Sequence, residues 1–126
     1  MKTNAEMRLF LAEAMNGASA NLAIAQERLA KATKAVAEIE ASRAVTKERY
    51  TAYRNRLALN ASPISAEERI GAITEINACL EVLDGDSRTW QRARSEEGVA
   101  RKEAEKFENE LLLHATSLAK LLPEEV

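Results

Sequence analysis

The chain has 126 residues, with 18 Lys and Arg against 20 Asp and Glu, one histidine, one cysteine, two prolines and four glycines. Its length suits one domain. The apolar 46% rests on 24 alanines and only five aromatics, which argues against a thick globular core because small side chains bury little area each. Abundant helix formers and 30% charge point to long amphipathic helices rather than a sheet or a disordered tail, and a net charge of -2 is too small to steer the whole molecule toward nucleic acid or an anionic membrane.

The first helix is expected over residues 4–60, with Thr3 or Asn4 as its cap and no proline before Pro63 to stop it. Met15, Leu22, Leu29, Val36, Arg43, Tyr50 and Leu57 recur every seventh residue, and Ala18, Ala25, Ala32, Ile39, Thr46 and Tyr53 interleave with them. That is a heptad seam. Its alanines allow a neighbouring backbone to come close.

Residues 61–65 form a short turn around Pro63. Ser65 with Glu68 three residues later reads as a capping box, so a second helix starts near residue 66 and presents Ile70, Ile73, Ile76, Leu80 and Leu83. At 84–87, Asp-Gly-Asp-Ser predicts a kink or turn that ends this helix near 83. A last stretch over 88–121 carries Trp90, Ala93, Glu97, Ala100, Ala104, Phe107, Leu111, His114, Leu118 and Leu121, and across the junction one step of four becomes three, a stammer.

Two nearly equal lengths joined by a tight turn predict an all-α fold. The expected form is a long antiparallel helical hairpin, a coiled coil with arms of about 85 Å at 1.5 Å per residue, forming a single elongated domain with a kink or break near 84–87. A full reversal at 84–87 would instead give three helices with unequal arms. In the hairpin, Ala18 falls opposite Phe107 and Val36 near Trp90. Ile24, Val45, Leu59, Val82 and Val99 lie off or at the edge of the seam, and Met7, Leu9, Phe10, Leu112, Leu113 and Leu122 gather at the end carrying both termini. Soluble monomers rarely expose so much apolar surface, so self-association through that terminal cluster into a dimeric four-helix bundle is expected.

Few residues suggest chemistry. His114, with Glu110 four residues earlier, offers two ligands where zinc needs three or four. Asp84, Asp86 and Ser87 lack the remainder of a calcium loop. No phosphate-binding glycine loop, dinucleotide fingerprint or nucleophile motif occurs, so no enzyme, cofactor or metal is expected. Cys79 reads as a buried small hydrophobe in a reducing compartment. The apolar run near residue 10 is too short for a signal peptide and no window reaches the roughly 20 apolar residues of a membrane helix, so the expected location is cytoplasmic, a host cytoplasm if the chain is virus-encoded.

Charge is polarised along the chain: residues 43–56 carry five cations against Glu48, while residues 95–126 carry four against eight acids. Lys47, Arg49, Arg54 and Arg56, mixed with Tyr50 and Tyr53, mark a surface for a protein partner or, alternatively, for nucleic acid. Against the second reading, both tyrosines fall on the seam and Glu67, Glu68, Glu75 and Glu81 of the opposing arm can neutralise part of the charge. Arg43 and Glu97 are charges on apolar seams, where they would set register between two hairpins. The expectation is a non-enzymatic coiled-coil protein acting as adaptor, scaffold or inhibitor, with a nucleic-acid binder or a self-assembling rod as alternatives.

Overall fold

In the computed structural model, which describes residues 3–58 and 65–123, the chain is all-α. Helix α1 spans Asn4–Ala58, 55 residues, and α2 spans Ala66–Ala119, 54 residues; they pack as an antiparallel hairpin. The expected end of the first helix at 60 and most of the turn at 61–65 lie outside the described residues.

Each helix starts on a side-chain cap. Thr3 Oγ1 accepts from the Glu6 amide at 3.1 Å, and Ser65 Oγ accepts from the Glu68 amide at 3.1 Å, so one otherwise unpaired amide of each first turn is satisfied. The second half of the expected capping box is replaced: the Glu68 carboxylate reaches Arg56 at 3.7 Å. Ser65→Ala should lower the midpoint of thermal unfolding through a loss of about 1 kcal/mol, readable by circular dichroism.

The hairpin divides into two compact units: unit 1 holds Met1–Thr33 and Glu96–Val126, and unit 2 holds Lys34–Ser95. In unit 1, the buried side chains are Leu11, Ala18, Ala25, Ala100 and Ala104; in unit 2, they are Val36, Ala72, Cys79 and Ala93. Both cores are thus built from small residues, as the composition implied. In α1, the covered positions from Met15 to Leu57 advance by three and four residues alternately, and the thirteen seam residues expected from Met15 onward are all covered. Period 3.5 is the signature of two helices zipped along one stripe.

Helix α2 corrects the sequence reading twice. The segment 84–87 neither ends nor interrupts the helix, and Gly85 keeps a negative φ. A mid-helix glycine costs roughly 1 kcal/mol, which the cross-helix contacts on either side can offset. The seam also runs through without a stammer, as Ala72, Ile76, Cys79, Leu83, Asp86, Trp90 and Ala93. Ile70, Ile73 and Leu80, expected to face inward, are exposed, because α1 lies against the small residues Ala72 and Cys79.

Candidate protein-interaction surface

The basic segment of α1 ends up on two flanks of unit 2. Arg49 and Arg56 each precede a covered residue and turn toward α2, where Arg49 Nη2 meets Glu75 Oε2 at 3.1 Å and Arg56 Nη2 meets Glu68 Oε2 at 3.7 Å. Two of the four acidic partners expected from sequence are therefore in place. Both pairs are solvent-exposed and hold geometry more than stability, at about 0–1 kcal/mol each. Lys47 and Arg54 each follow a covered residue, which puts them on the opposite flank; among the described residues neither has an ion-pair partner.

Arg43 and Glu97, the two charges on the seams, find partners inside their own units. Arg43 Nη1 donates to the Leu83 carbonyl at 2.8 Å, and its guanidinium lies 5.7 Å from the centre of the Trp90 ring. Arg94 lies over the same ring at 5.1 Å, and the indole Nε1 donates to Glu40 at 3.2 Å. This clasp uses the indole edge as donor and its face as a seat for cations. Sequence reasoning set Trp90 near Val36 and had no signal for Glu40, because the acceptor depends on register to within one turn. Glu97 is mostly covered and pairs with Arg101 at 3.8 Å, one turn along α2.

In unit 1, Arg28 meets Glu103 at 3.5 Å, and Arg8 donates to the Leu121 carbonyl at 3.4 Å. The terminal cluster singled out for self-association sits here: Leu9, Phe10, Leu112, Leu113 and Leu122 are exposed, and Met7 is partly covered. Ile24 and Val99 of unit 1 and Val45 of unit 2 are exposed as well, Val99 at 68%. His114 is half-covered on the seam, one turn after Glu110. Among the described residues, no three His, Cys, Asp or Glu side chains come together as metal ligands, and no helix is long and apolar enough to cross a membrane.

The surface these residues leave is large. The chain exposes 9590 Å² of accessible area, against about 6,700 Å² for a folded monomer of its mass by the usual scaling. No family model, curated protein or solved structure matches the chain.

Proposed function

We propose that this chain is a non-catalytic binding module that works by laying its helices against another protein, as an adaptor, scaffold or inhibitor, and that it also pairs with itself. One observation carries the reading. The fully buried seam positions are mostly alanine, while large aliphatic side chains such as Ile24, Val45 and Val99 remain outside. Leu9, Phe10, Leu112, Leu113 and Leu122 of unit 1 are exposed as well, and uncovered apolar side chains in such number support an interaction role. The pairing of Arg49 with Glu75 and of Arg56 with Glu68 supports this reading over nucleic-acid binding, since half of the cations proposed to meet phosphate are already neutralised.

The test compares the intact chain with an Ile24→Glu/Val45→Glu/Val99→Glu variant, each immobilised and exposed to extract of the source cells. The module reading expects a specific protein retained by the wild type and lost by the variant. Retention of no protein, together with oligonucleotide binding in fluorescence anisotropy that weakens steeply as salt rises, would replace it with the nucleic-acid reading.

A further inference from the structure

The two flanks of unit 2 are unequal. On one, cation meets carboxylate across the hairpin, as Arg49 with Glu75 and Arg56 with Glu68. On the other, the positions that follow the covered residues are Lys47 and Arg54 in α1 and Ile73 and Leu80 in α2, with Ile70 beside them. Flanking positions of a two-helix seam normally carry opposite charges. Here a cation row runs beside an aliphatic row, so neither satisfies the other: Ile73 is 48% and Ile70 66% exposed, and neither cation has an ion-pair partner among the described residues. Further along the same flank, the rung is closed, since Trp90 bonds Glu40. The mismatch is local and calls for a third helix with aliphatic residues for Ile73 and Leu80 and carboxylates for Lys47 and Arg54.

The chain itself carries such a helix. On the corresponding flank of unit 1, α2 places Glu105, Glu108 and Leu112, with Ala115 after them and Leu9 contributed by α1. All but Ala115 are exposed, and Glu105 and Glu108 have no ion-pair partner among the described residues. Arg101, which precedes them on this flank, is held by Glu97, so the flank's unpaired charges are the two carboxylates, with Leu9 and Leu112 uncovered beside them. We propose that the occupant is a second copy of this chain, the Glu105–Glu108–Leu112 flank of its unit 1 lying over Lys47, Arg54, Ile73 and Leu80 of unit 2. In the proposed dimer each copy gives its acidic flank to the basic flank of the other, so both mismatches are met by one pairing.

The inference rests on the binding-module reading, and a charge-swap experiment separates the two. The wild-type chain, Lys47→Glu/Arg54→Glu and Glu105→Lys/Glu108→Lys are each run in sedimentation equilibrium, singly and as an equimolar mixture of the two variants. The wild type should be a dimer at micromolar concentration that weakens as salt rises. Each variant alone should dimerise at least tenfold more weakly, and the mixture should recover the wild-type constant, because both contacts of the mixed dimer are complementary, one in the original sense and one with the charges exchanged, whereas both contacts of either variant alone are repulsive. All these positions are exposed, so helicity should not change. A wild type that stays monomeric to 100 times that concentration (on the order of 0.1 mM), variants that dimerise like the wild type, or a mixture no tighter than its components would each overturn the proposal. Retention of another protein in the assay described above is unaffected by these outcomes, because the side chains it probes are elsewhere.

Discussion

Ala25→Asp should remove a large share of the stability of unit 1. Ala25 is 1% exposed and stands in the seam, where Arg28, one turn on, is already engaged with Glu103. A carboxylate there must either part the helices or lose its water without compensation, and an uncompensated buried charge costs about 3–5 kcal/mol. Against the total of about 5–15 kcal/mol that holds a domain of this size, that is a large share, and the unfolding midpoint should fall clearly. Ala23→Asp, two residues earlier on an exposed face, should change stability by less than about 0.5 kcal/mol. Urea unfolding of the pair, followed by far-ultraviolet circular dichroism, checks the prediction. Equal losses in both variants would mean that residue 25 is not where the helices close.

The opposite effect is expected from the glycines. Gly17, Gly71, Gly85 and Gly98 all lie within helices, none has a positive φ, and a Cβ built on any of them meets nothing within 4 Å. Each therefore carries the conformational cost of glycine without using its freedom, at roughly 0.5–1 kcal/mol per site relative to alanine. The fourfold Gly→Ala variant should gain about 3 kcal/mol, and its unfolding midpoint should rise by about 10 °C in calorimetry. Gly85→Ala alone bears on the architecture. If 84–87 were a turn that needed glycine, this variant would destabilise; in a continuous helix it stabilises.

What could be read from sequence, and what could not, divides at the middle of α2. In α1, enough large residues lie on the seam to fix its phase, so the two interleaved rows counted by sevens from Met15 and Ala18 recover every covered position from Met15 to Leu57. In α2 before residue 90 they do not. Ile70, Ile73 and Leu80 are the bulkiest side chains and drew the stripe toward themselves, while the helix turns Ala72 and Cys79 inward. The spurious stammer was the symptom: carrying the phase back unchanged from Trp90 passes through Asp86, Leu83, Cys79, Ile76 and Ala72, the observed seam. Close approach of two backbones selects for small residues, so hydrophobic bulk is a poor guide where alanine is abundant. The isoleucines left outside are informative in turn, since the proposed intermolecular contact draws on them.

The candidate site was partly readable on the same terms. A net positive window facing acidic residues across a turn predicts cross-helix ion pairs, and Arg49 with Glu75 and Arg56 with Glu68 are two of them. The Arg43–Trp90–Glu40 clasp was not, because a seam arginine has several ways to be satisfied and only coordinates choose among them. Arg43 takes a backbone carbonyl and an aromatic face within its own hairpin, so it need not wait for a second hairpin to be stabilised.

Cys79, a free thiol at 4% exposure in the seam of unit 2, gives the hairpin a built-in clock. A thiol reagent reaches its sulfur only in the intervals when α1 and α2 separate there, so the labelling rate of the unmodified chain measures how often unit 2 opens, while unit 1 contributes no signal of its own.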